Sequence, residues 1–90
     1  MTHGEFWGKV CVLTITFNGR VTSGPRSRLD NKDLGGVEDS LHITGYAADI
    51  VLRDWNDKAL FTIAAQRLRL TVIDETKDKN HLHLQPAQGA

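Results

Sequence analysis

The sequence predicts a small α+β domain, mainly antiparallel sheet, with one principal helix and a long functional loop. Three observations lead there. Short apolar runs of strand character occur at 9–17, 47–52, 70–73 and 81–85. Helix-spaced apolar positions are concentrated in one segment, between Asp54 and Leu68. From Ser23 to Gly45 the chain is dense in Gly, Pro, Asp, Asn and Ser, with no apolar period. Loops of that length are uncommon in small domains and tend to be functional.

Lys9 to Phe17 alternates, with Cys11, Leu13, Ile15 and Phe17 on one face and Val10, Val12, Thr14 and Thr16 on the other, so a strand is expected. The lone Cys11 lies in this run, cannot form an intramolecular disulfide, and is expected as a small buried residue. Asn18-Gly19 marks a hairpin turn into a short return strand, Arg20-Val21-Thr22. After the long loop, Ala47 to Leu52 predicts a buried strand that carries a carboxylate, Asp49, at its centre. Asp54 or Asn56 caps a helix to about Arg67, with Leu60, Ile63, Ala64 and Leu68 on its apolar face and Trp55, Phe61 and Leu70 adding to the core. Leu70–Ile73 predicts a strand, Glu75–Asn80 a charged turn and His81–Gln85 a last strand. The domain is expected to span residues 1–85, with 86–90 a disordered tail.

Eleven basic residues balance eleven acidic ones, and no basic block is present. A protein that tracks phosphates carries a basic surplus, so nucleic acid is a poor candidate partner. No segment approaches the roughly 18 apolar residues of a membrane span, and no signal peptide is recognisable at the N-terminus. A soluble chain, cytoplasmic as synthesised, is the expectation. Ninety residues bury a modest core, so a bound metal would add usefully to stability.

Metal-ligating chemistry is concentrated in two places. His42 and Asp49 lie in Ser40-Leu41-His42-Ile43-Thr44-Gly45-Tyr46-Ala47-Ala48-Asp49, and His81-Leu82-His83 follows near the C-terminus. A catalytic zinc takes three ligands from His and Asp/Glu and keeps a fourth position for water. Burying an unpaired carboxylate costs several kcal/mol, so Asp49 requires a metal, a cation or strong donors. Residues two apart on a strand share a face, which sets His81 and His83 side by side, about 6.6–6.8 Å apart along the chain. Gly45 permits a tight bend between His42 and Asp49. A hydrolytic metal site would also need a general base; Glu75, Asp78 and His81 are candidates.

The pattern Val21-Thr22-Ser23-Gly24-Pro25-Arg26, Asn31, Leu34-Gly35-Gly36-Val37, Ser40-x-His42-x-x-Gly45-x-Ala47-x-Asp49 and His81-Leu82-His83 resembles the zinc D-alanyl-D-alanine carboxypeptidase-like peptidases, especially small phage and prophage forms. The resemblance runs from Val21 to Gln85. It implies the α+β fold shared with murein endopeptidases and the hedgehog signalling domain. It also implies zinc held by His42, Asp49 and a C-terminal His, with peptide bonds in cell-wall stem peptides as substrate. In relatives with a His-x-His strand the second His is the ligand, which maps to His83, with His81 as its catalytic neighbour. Arg26 matches an arginine that approaches substrate, where it would pair with a peptide carboxylate or else tie down the loop. Ser40 matches the motif serine, with a substrate-binding or a turn-forming role.

Two departures from the family pattern stand out. Many relatives place an acid three residues before the ligand His, whereas Asn80 precedes His83 at that spacing and Asp78 precedes His81. This leaves His81 with Asp78 as base, or His83 assisted by His81 or Glu75. Relatives also begin with a helix that helps wall the cleft, where a strand is expected here. Trp7 and Phe6 would then cover the core or form a dimer contact, giving a monomer or weak dimer. An active zinc peptidase that meets cell-wall substrate after release is the leading expectation. A catalytically inactive zinc-binding or cell-wall-peptide-binding module of the same fold is the alternative.

Overall fold

Thr2 and Glu5 form a capping box: the Thr2 hydroxyl accepts from the Glu5 amide at 3.1 Å, and the Glu5 carboxylate accepts from the Thr2 amide at 3.4 Å. They start a helix, α1, at His3–Thr16, in a computed structural model that describes residues 1–23 and 44–90. The strand expected at 9–17 is therefore the C-terminal part of a helix. Phe6, Val10 and Leu13, at helical spacing, are 0%, 1% and 2% exposed, while Ile15, expected to share a face with Leu13, is 78% exposed. Cys11 is exposed rather than buried, because it falls on the outer side of this helix. The β-branched residues lower helix propensity by only tenths of a kcal/mol each, roughly, and burial of the apolar stripe outweighs that. Thr14 and Thr16 donate their hydroxyls back to the carbonyls of Cys11 and Val12, at 3.0 and 2.7 Å.

Asn18-Gly19 acts as a helix stop instead of a hairpin turn. Asn18 takes φ +52°, the Gly19 amide donates to Thr14 O at 2.9 Å and the Asn18 amide donates to Ile15 O at 3.5 Å. This is the Schellman arrangement, which satisfies the last carbonyls of α1. The chain then enters β1, Arg20–Ser23.

The sheet is antiparallel, in the order β1-β2-β4-β3, with β2 at Ala48–Val51, β3 at Leu70–Asp74 and β4 at Leu82–Pro86. A short 3₁₀ turn, Trp55–Asp57, is capped by Asp54 and leads into helix α2, Lys58–Arg67. The buried face of α2 centres on Phe61, expected in the core, and on Ala65; Ala64 and Leu68 of the expected apolar face pack against that core, while Leu60 and Ile63 are exposed. Phe17 meets Phe61 edge to face at 5.4 Å, which ties the end of α1 to α2.

Both helices pack on one face of the sheet. Ala48 and Ile50 of β2 stand opposite Leu84 and Leu82 of β4, and these four join Phe6, Val10, Leu13, Phe61, Ala65 and Leu70 in one core. By strand alternation, Asp49, His83 and Gln85 take the other face. The domain is thus an α+β fold, with two helices among the described residues where one principal helix was expected. An N-terminal helix, unexpected from the sequence, is present as α1.

After β4, the Ala87 amide donates to Arg69 O at 2.9 Å, and the terminal amino group of Met1 donates to Ala90 O at 3.1 Å. Among the described residues no helix is long and apolar enough to cross a membrane.

Candidate metal centre

β2 and β4 bring Asp49 and His83 directly opposite each other in the sheet register, with Ser23 of β1 beyond Asp49 and Ile73 of β3 beyond His83. Asp49 is 7% exposed, a buried charged residue in a strand of buried neighbours. Its Oδ1 lies 3.1 Å from His83 Nδ1 and 3.5 Å from His81 Nε2. The two imidazoles expected to address one site do so, because His81 immediately precedes β4 and lies two residues from His83.

A second carboxylate reaches the same place from the turn between β3 and β4. The Glu75 amide donates to His81 O at 3.1 Å, and the Lys79 amide donates to Glu75 O at 2.8 Å, which closes the turn beneath the cluster. Glu75 Oε1 then lies 3.0 Å from His81 Nε2, and Glu75 Oε2 is 3.5 Å from Lys79 Nζ. One ligand atom each from Asp49, Glu75 and His81 falls within 4.8 Å of the others. Asp78 sits exposed on the turn, outside this converging group. His42, Arg26 and Ser40 lie outside the described residues.

Electrostatics follow from burial and pairing. Burial pulls the His83 imidazolium down, but hydrogen bonds to Asp49 and Gln85 and the charges of Asp49 and Glu75 outweigh it, leaving its pKa raised. Gln85 was not singled out from sequence as a site residue; its Oε1 lies 2.9 Å from His83 Nε2. The available signal was its period-two relation to His83, which places the two on one face.

The motif segment is gripped from α1. His3 Nε2 lies 2.7 Å from Thr44 O, and Trp7 Nε1 donates to Gly45 O at 2.8 Å. The His3 ring stacks on Tyr46 at 4.1 Å between centroids. Gly45 adopts φ +84°, the bend expected of it, and a Cβ there would come within 3.2 Å of His3 Nε2. Phe6 is fully buried, and Trp7 is partly buried with its indole committed to this grip, so these two rings serve the fold.

Nitrogen and carboxylate-oxygen donors around a buried acid are the donor set that zinc prefers, and the residues present fit that ion. A sheet face that gathers Asp49, His81, His83 and Glu75 has the donors and the neighbouring carboxylate of a metal-dependent hydrolase. The family comparison agrees: a family model described as Peptidase M15 matches residues 18–85, more than half of the chain. The chain belongs to the peptidase M15 family, the zinc D-alanyl-D-alanine carboxypeptidase-like peptidases. No curated protein and no solved structure gave a significant match.

Proposed function

We propose that the chain is a zinc-dependent peptidase that cleaves peptidoglycan stem peptides or other D-amino-acid-containing peptides. The observation that carries the proposal is the convergence of Asp49, His81, His83 and Glu75 on the face of the sheet opposite α1 and α2 in a chain of this family. His42, Asp49 and His83 are the proposed ligands. Support for His83 over His81 comes from its place opposite Asp49, with Nδ1 at 3.1 Å from the carboxylate, while His81 Nε2 lies closer to Glu75 than to Asp49. Zinc, when bound, supplies Lewis acidity toward water and a peptide carbonyl.

The chain's own residues then do the proton work. Glu75 and His81, 3.0 Å apart, form an acid–base pair beside Asp49 that takes the proton of the attacking water and returns it to the leaving amine. We favour this pair over Asp78, which is exposed on the turn. Glu75 approaches from the β3–β4 turn, so a carboxylate is present although Asn80 stands where relatives carry an acid. Arg26 and Ser40 are the proposed substrate contacts, the guanidinium pairing with a peptide carboxylate.

The alternative of an inactive binding module drew on the absence of an N-terminal helix and of an acid near His83. The presence of α1 and of Glu75 beside His81 favours the catalytic reading. Purified protein should hold near-stoichiometric zinc and release amine from muropeptides, and His42→Ala or Asp49→Ala should abolish both. Hydrolysis that survives in the double variant would refute the proposal.

A further inference from the structure

We propose that Gln85 is a positioning residue: it fixes which nitrogen of His83 faces Asp49 and the metal. The inference rests on the reading of His83 as a ligand. Gln85 follows His83 by two residues on β4, so both side chains leave the sheet on the same face. The two ring nitrogens of His83 have different partners, Nδ1 with Asp49 Oδ1 at 3.1 Å and Nε2 with Gln85 Oε1 at 2.9 Å.

A neutral imidazole carries one N–H and one lone pair, and the hydrogen bond made by one nitrogen decides the role of the other. In the metal-free protein the Asp49 carboxylate, the stronger acceptor, draws an N–H to Nδ1; a metal that takes the Nδ1 lone pair leaves the N–H on Nε2, which then needs an acceptor of its own. Gln85 Oε1 is that acceptor, and so it stabilises the Nε2–H form that a metal-bound Nδ1 requires. The same bond fixes the ring plane, since Nδ1 and Nε2 are anchored on opposite sides. It also settles the orientation of the Gln85 amide: its oxygen, not its nitrogen, must face the ring.

The test compares Gln85→Leu, which keeps the bulk but has no acceptor, with Gln85→Glu, which keeps one. Zinc affinity, measured by competition with a chromophoric chelator, should fall about 10- to 100-fold in Gln85→Leu and stay near wild type in Gln85→Glu. Long-range ¹H–¹⁵N spectra of the zinc-loaded protein should show the His83 Nε2–H protected from solvent exchange in wild type and exchanging faster in Gln85→Leu. If the leucine variant does not fold, Gln85→Met keeps the stem and takes its place. Unchanged zinc affinity and an unchanged exchange rate of the His83 Nε2–H in Gln85→Leu overturn the proposal. Asp49→Asn separates the two levels: zinc binding lost there but kept in Gln85→Leu sinks the Gln85 role alone. Zinc binding that survives Asp49→Asn sinks the metal centre itself.

Discussion

Gly45→Ala tests the grip of α1 on the motif segment. Gly45 sits at φ +84°, and an alanine in the left-handed region costs about 1–2 kcal/mol. The added Cβ would also lie 3.2 Å from His3 Nε2 and 3.3 Å from His3 Cδ2, so the ring must move. That ring bonds Thr44 O at 2.7 Å and stacks on Tyr46. His3 is exposed, so the lower end applies to each interaction, about 0.5 kcal/mol for the hydrogen bond and about 0.5 kcal/mol for the stack. The total is roughly 2–3 kcal/mol, which at about 4–8 °C per kcal/mol for a domain of this size lowers the melting temperature by on the order of 10–20 °C. The assay is thermal unfolding of metal-free protein followed by circular dichroism, in wild type, Gly45→Ala, His3→Ala and the double variant. In the His3→Ala background only the backbone cost remains, so the double-mutant cycle should give a coupling of about 1 kcal/mol. An equal cost of Gly45→Ala in both backgrounds would refute the contact with His3, and a cost below about 0.5 kcal/mol in both would refute the backbone argument as well.

Two further outcomes follow from burial and titration. Leu13→Ala should cost about 2–5 kcal/mol in urea unfolding and Ile15→Ala no more than about 0.5 kcal/mol, since one is 2% and the other 78% exposed; similar costs would point to a strand that buries both. The folded pKa of His83 is raised above its ordinary value of about 6.5, so the protonated form is the one favoured by folding. Its contribution to the metal-free protein is full below about pH 6.5 and is lost as pH rises through the folded pKa. Relative to Asp49→Asn, the wild-type melting temperature should therefore fall across that window. Zinc affinity should rise across it, because the ligand must be neutral. A wild-type advantage that grows with pH in metal-free protein would be the opposite sign and would refute the assignment.

The site was legible where strand geometry alone decides. A carboxylate inside Ala47–Leu52 demands a partner, and His81 and His83 must share a face; the structure sets both imidazoles on Asp49. The three C-terminal strands and α2 were legible for the same reason, being short apolar segments between turn residues. The N-terminal element was not, because two periods overlap there. Val10, Val12, Thr14 and Thr16 write a strand-like alternation over the helical stripe Phe6, Val10, Leu13 and Phe17. A window that starts at Lys9 omits Phe6 and the Thr2-x-x-Glu5 capping box, the two signals that break the tie. The misplaced burial of Cys11 and the hairpin at Asn18-Gly19 both descend from that one choice of period. The α2 error is smaller: Phe61 was expected in the core, but Leu60 and Ile63 were placed there with it, and the contact of Phe61 with Phe17, distant in sequence, sets the helix rotation that exposes those two.

The family match begins at residue 18, yet the folding unit cannot begin there. Phe6, Val10 and Leu13 precede the match and are fully buried against Ala48, Ile50, Leu82 and Leu84, the residues directly behind Asp49 and His83 in the sheet. Each such side chain contributes about 1.5–3 kcal/mol by burial, comparable in sum to the whole stability of a small domain. The same helix holds Thr44 and Gly45 through His3 and Trp7, at the residues that lead into β2. Helix α1 therefore supports Asp49 and His83 in two ways: it packs behind the strands that carry them, and it holds the chain that enters β2. Variation in α1 that preserves His3, Phe6, Trp7, Val10 and Leu13 should leave the Asp49–His83 face intact whatever its other exposed residues become.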